Sequence, residues 1–108
     1  MVIGDILFKH SGAVYTTPIQ RVVDGATFYV NVLQVGGTTS GTLNVDIEHR
    51  DEIDDSWSTN ASFTGITAAG LNSKAATGLK DLVRLKLSQT NGTTDSWMRF
   101  AVLEPAWS

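Results

Sequence analysis

A chain of 108 residues without cysteine, carrying a net charge of −3, excludes a good deal at the outset. The length suits one domain, and the lack of thiols removes disulfides, thiolate catalysis and cysteine-held zinc. With an isoelectric point of 5.1 and no basic stripe to neutralise phosphates, a nucleic-acid partner is not expected. No apolar run approaches the roughly 20 residues of a membrane-spanning helix, so no membrane partner is expected either. Met1-Val2-Ile3-Gly4-Asp5 lacks the basic and then apolar start of a secretory signal. Charged residues make up 18% of the chain, against about 25% in ordinary soluble domains. Gly, Thr and Ser fill the difference, which is the composition of a polar but uncharged β surface.

The first 25 residues read as edge strands or an arm. Ile6-Leu7-Phe8-Lys9-His10 is apolar enough to be tied down, either as a strand of this domain or on a neighbouring subunit. Val14-Tyr15 and Ile19 to Val23 form short strand signals around Pro18, which cannot donate to a ladder and so marks an edge or a break. Asp24-Gly25 signals a turn. Ala26 to Val35 is a strand apolar on both faces, with Phe28, Val30 and Val32 on one and Tyr29, Asn31 and Leu33 on the other. Gly36 to Gly41 reads as a hairpin loop.

Thr42 to His49 alternates strictly. Leu43, Val45 and Ile47 share one face, and Asn44, Asp46 and Glu48 the other. Arg50 to Ser56 is an acidic turn. Trp57 to Phe63 reads as a strand with Trp57 and Phe63 as core anchors. Thr64 to Gly78 is a small-residue loop passing between sheets, with Ile66 and Leu71 turned inward. A helix over Ala75–Leu82 is marginal because it is short and contains Gly78. Asp81 to Gln89 alternates again, Val83, Leu85 and Leu87 against Arg84, Lys86 and Ser88. Asn91-Gly92 gives a turn. The last strand, Ser96 to Leu103, sets Met98, Phe100 and Val102 against Trp97, Arg99 and Ala101, and Pro105 closes it. Seven or eight short strands with turns between them predict an all-β fold, an antiparallel two-sheet sandwich that is jelly-roll-like or immunoglobulin-like, spanning residues 1–108 as a single domain.

Three segments carry a resemblance. Trp-Ser-x-x-x-Ser-Phe-x-x-Ile-Thr-x-x-Gly (Trp57 to Gly70) is followed by Gly-Leu-Lys-Asp-Leu-Val-Arg-Leu-Lys-Leu (Gly78 to Leu87) and, after the Asn-Gly-Thr turn, by Trp-Met-Arg-Phe-Ala-Val (Trp97 to Val102). Over Gly41 to Leu103 this order resembles small β-sandwich virion structural proteins of tailed bacteriophages, of the head decoration or capsid-associated type. The chain departs from their pattern at Asp51 to Asp55, where the usual Asp-Gly hairpin turn has lost its glycine. A tryptophan after an acidic turn also occurs in discoidin-like and carbohydrate-binding sandwiches. The resemblance implies a non-enzymatic component of the particle that stabilises it through protein contacts. Its implied partners are the major capsid protein or other virion proteins, with self-association. It implies a place in the virion, on the capsid surface or otherwise associated with the head, after synthesis in the host cytoplasm. A tail-associated protein, or a glycan-binding module for host attachment, is the alternative.

Asp46, Glu48, Asp51, Glu52, Asp54 and Asp55 supply carboxylates for calcium, but not at the spacing of a known loop; a solvated hairpin tip explains them, and no metal site is assigned. His10 and His49 are far apart in sequence, and His49 reads as a surface residue. No nucleophile–base–orienter pattern exists, so neither catalysis nor a cofactor is expected. Asn60-Ala61-Ser62 matches the glycosylation sequon by chance. What remains is outward apolar surface. Tyr29 and Leu33 on the two-faced strand, Trp97 and Trp107, and Ile6, Leu7 and Phe8 near the start are the candidate interface residues, because aromatics concentrate where proteins meet.

Overall fold

The computed structural model describes residues 3–9, 12–53 and 56–108, with side chains from residue 12 onward. It is an antiparallel β-sandwich, and no helix occurs among the described residues. The strands are β1 (Ile3–Lys9), β2 (Ala13–Tyr15), β3 (Ile19–Gln20), β4 (Ala26–Gly36), β5 (Thr42–Arg50), β6 (Ser58–Ser62), β7 (Gly70–Ala76), β8 (Leu82–Thr90), β9 (Trp97–Val102) and β10 (Ala106–Trp107). The first sheet runs β1-β9-β4-β7, with β10 continuing the line of β9 along β4. The second runs β2-β8-β5-β6, with β3 continuing β2 along β8. Two four-strand layers in this order are the wiring of a jelly roll.

Strict alternation builds the core. Phe28, Val30 and Val32 of β4 and Met98, Phe100 and Val102 of β9 face Leu43, Val45 and Ile47 of β5 and Val83, Leu85 and Leu87 of β8, all buried. Each such side chain contributes about 1.5–3 kcal/mol on leaving water, which is what holds the two layers together. Phe63, Ile66 and Leu79 close the cluster from the connections. The longest pairing, β5 with β8, keeps register from Thr42↔Thr90 to Arg50↔Leu82. In a register this long the apolar residues of both strands fall on the same side, Leu82 at the start of β8 excepted.

Several expectations need correction. The segment Gly36 to Gly41 is no hairpin, because β4 and β5 belong to different sheets. It crosses the sandwich, and Gly37 and Gly41 at φ 103° and 79° make the turn that a side chain would strain. The small-residue stretch after Phe63 contains a true strand: β7 pairs with β4 from Ala26↔Ala76 to Val32↔Gly70. The marginal helix there loses to that ladder. Leu71 does not turn inward. Its place opposite Asn31 puts it on the outer face, 62% exposed. Pro105 interrupts the last strand without ending the sheet, since Ala106 and Trp107 resume pairing with Thr27 and Ala26. Pro18 likewise breaks β2 from β3. Across that break Thr16 holds the ladder, its N–H donating to Leu85 O at 3.0 Å and its Oγ1 accepting from Leu85 N at 2.8 Å.

The chain's start pairs within the same molecule. β1 lies along β9, with Ile6↔Phe100, Leu7↔Arg99 and Phe8↔Met98. The side chains of Ile6, Leu7 and Phe8, and the whole of His10, Asp54 and Asp55, lie outside the described residues.

Candidate functional site

The two outer faces of the sandwich differ in chemistry. On the second sheet the outward residues of β5 and β8 are Asp46, Glu48 and Arg50 against Lys86, Arg84 and Leu82. On the first sheet the outward positions are Thr27, Tyr29 and Asn31 of β4, Leu71, Ser73 and Ala75 of β7, and Trp97, Arg99 and Ala101 of β9. Arg99 is the one charged side chain among these described positions.

The first face is apolar for reasons legible in its register. Leu71, Asn31 and Ala101 stand in one row. Tyr29 stands in the next, and its carbonyl accepts from Leu103 N at 3.1 Å. Between Val32 and Gln34 the ladder with β9 slips. Leu33 is the extra residue of this bulge and stands 43% exposed. A bulge re-aims the residues beyond it: Gln34 comes opposite Arg99 on the outer face and Val35 opposite Met98 against the core, the reverse of what unbroken alternation would give. Tyr29 is half-buried by its neighbours, whereas Leu33, Leu71 and Leu103 are exposed.

The tryptophans are placed differently from one another. Trp97 is outward and half-buried, its indole lying across Gly36 on the next strand. A Cβ at Gly36 would stand 2.2 Å from Trp97 Cε2, so the glycine is what lets the ring lie down. Trp107 is not outward. It sits opposite Ala26, packs against the core and meets Phe28 edge-on, the ring centroids 6.5 Å apart. Of the interface candidates, then, Tyr29, Leu33 and Trp97 share one face and Trp107 belongs to the end of the core. Sequence reasoning missed Leu71 because it took a strand for a loop.

The second face is built around Arg84. Its guanidinium lies 4.2 Å from the Tyr15 ring centroid and 4.3 Å from that of Trp57. Its Nε donates to Glu48 Oε1 at 2.8 Å. Tyr15 comes from β2, Arg84 from β8, Glu48 from β5, and Trp57 enters β6, so the row crosses the whole sheet. Trp57 is therefore no core anchor. It is half-buried on the outside, with Arg50 also 5.2 Å from its ring. The expected partner of Phe63 in the core is absent because Trp57 precedes the strand and turns the other way.

The acidic residues do not converge. Asp46 accepts from Ser62 Oγ at 2.7 Å, Glu48 is held by Arg84, and Glu52 Oε1 accepts from Gln20 Nε2 at 2.8 Å. Among the described residues no three acidic or histidine side chains gather as metal ligands would. His49 corrects another expectation: it is buried, and its Nδ1 accepts the Lys80 N–H at 3.2 Å. Burial, then the Lys80 charge, hold its pKa below the ordinary 6.5, opposed by Asp51. Asn60 is occupied too, its Nδ2 donating to Thr77 O at 2.9 Å. At the far end, Asp95 ties two crossing loops. It accepts from Thr38 N and Oγ1 and from Thr93 Oγ1, and these bonds lower its pKa. A depression of about 220 Å³ beside it is lined by Thr94, Asp95, Ser96 and Trp97, but the carboxylate it offers is already spent on that loop tie.

Comparison with protein-family models, with curated proteins and with solved structures finds no match.

Proposed function

We propose that this chain is a non-enzymatic structural component of a bacteriophage virion. In this reading it is a capsid decoration or cement protein, or another head-associated protein, that stabilises the particle by protein contact. The observation that carries the reading is the outer face of the first sheet, where Tyr29, Leu33, Leu71, Ala101 and Leu103 leave apolar surface beside a single charged side chain among the described positions. Apolar surface with charge kept away is the composition of an interface core. The jelly-roll wiring and the segments Trp57 to Gly70, Gly78 to Leu87 and Trp97 to Val102, which resemble those of phage virion sandwiches, add the particle to that picture. Fold alone would not supply the function.

The glycan-binding alternative draws on Trp97 and Trp107 as sugar platforms. A sugar platform needs an open ring face, whereas Trp97 lies half-buried across Gly36 and Trp107 packs against the core, and this supports protein contact over sugar binding.

The test is compositional. Particles of the phage whose genome encodes this chain should contain it in fixed proportion to the major capsid protein, and particles made without it should rupture at lower temperature. Purified particles lacking the chain, or rupturing unchanged without it, would remove the reading.

A further inference from the structure

The second face carries a receptor that the virion reading does not use. Arg84 lies over both the Tyr15 and the Trp57 ring, and its Nε is spent on Glu48. Its side chain is only 21% exposed. A guanidinium has five N–H donors, and these contacts use one. The remaining four, on Nη1 and Nη2, have no protein acceptor among the described residues, and neither nitrogen is sealed from solvent. A fork of donors held by two rings and a carboxylate, with its Nη groups reached by solvent, matches a second carboxylate with two parallel hydrogen bonds.

Around this fork Arg84 pairs with Glu48, Lys86 stands opposite Asp46, which also accepts from Ser62, and Arg50 lies at the Trp57 ring. With the Glu48 carboxylate this close, a single negative charge suits the fork better than a double one. A phosphate dianion would have to sit beside the Glu48 carboxylate; a monoanion meets half that repulsion. A neutral sugar would find the facing ring surfaces already filled. Arg, Trp and Tyr are the residues that dominate the centres of protein interfaces.

We infer that the outer face of the second sheet binds an acidic peptide segment, one carboxylate of which is received by the two Nη groups of Arg84 between Tyr15 and Trp57. This lies on the face opposite the apolar one, so it stands or falls independently of the virion reading.

Titration of the whole chain with a hexaglutamate peptide, followed through the Arg84 Nε–H and Trp57 indole N–H resonances, tests it. Both signals should move and saturate, hexaglutamine should move neither, and Arg84→Lys should weaken binding about tenfold or more because an ammonium presents no fork. Trp57→Leu keeps the charge but loosens the grip. It should weaken binding several-fold, and it keeps the test alive if Arg84→Lys does not fold. The inference is overturned if neither resonance saturates, if Arg84→Lys or hexaglutamine behaves like the wild-type pair, or if an oligogalacturonate binds where the peptide does not.

Discussion

At the scale of single residues, two positions turn an inconspicuous letter into a constraint. Gly36 exists to let the Trp97 indole cross the neighbouring strand. Gly36→Ala should cost about 1–3 kcal/mol, the usual cost of overpacking, seen as a lower denaturant midpoint. Trp97 fluorescence should also shift to the red as the ring is lifted into water. His49 is the second. Burial keeps its folded pKa below 6.5, so the unfolded chain binds a proton that the folded one refuses. The stability this gives is complete above pH 6.5 and drains away as pH falls from there through the lower folded value. Equilibrium unfolding measured between pH 7.5 and 5 should show that slope, and His49→Gln should flatten it. Asp95 follows the same sign lower down. Its carboxylate is stabilised by Thr93 and Thr38, so its contribution is present above 3.8 and lost as pH falls through the depressed folded value. Neither effect was visible in the sequence, where His49 looked like a surface residue beside Glu48 and Arg50. Its place opposite Val83 in the β5–β8 register decides its burial, and alternation counted from Leu43 would have found it.

At the scale of elements, period two did most of the reading. β4, β5, β8 and β9 show their buried faces in the sequence because each is flanked on both sides by other strands of its sheet and carries one fully apolar face. β7 was missed because an edge strand buries little: its residues from Gly70 to Ala75 are mostly exposed, and small polar side chains suffice there. Trp57 misled for a related reason. Its size suggested the core, but an aromatic can equally bury itself against cations on an outer face. β8 pairs with β2, β3 and β5 and so stands at the centre of the second sheet. Leu85→Ala, at the middle of that strand, should cost about 2–5 kcal/mol as a cavity opens in the core. Removal of residues 106–108 should cost less, because it takes only the half-buried Trp107 and two residues of pairing. Chemical denaturation of both variants checks the order.

At the scale of the whole molecule, the sandwich has one outer face dressed in charge and one on which Arg99 is the single charged side chain among the described positions of β4, β7 and β9. Tyr29 and Leu33 were legible as outward residues of a two-faced strand, whereas the bulge that turns Gln34 outward and Val35 inward and the pairing that brings Leu71 beside Asn31 depend on contacts remote in sequence. The Arg84 row is a product of topology in the same way, since it joins β2, β8, β5 and the approach to β6. If the apolar face serves contact and not folding, then Leu33→Asp with Leu71→Asp should leave stability within about 0.5 kcal/mol, as surface changes do. Attachment to the particle should be lost. Thermal melting and co-sedimentation with particles separate the two effects.

Imaging of intact particles, at a resolution that places the sandwich on its neighbours, decides whether the apolar face is a contact surface. Tyr29, Leu33 and Leu71 should be pressed against another virion protein. A sandwich on the particle with these three side chains facing water would contradict it.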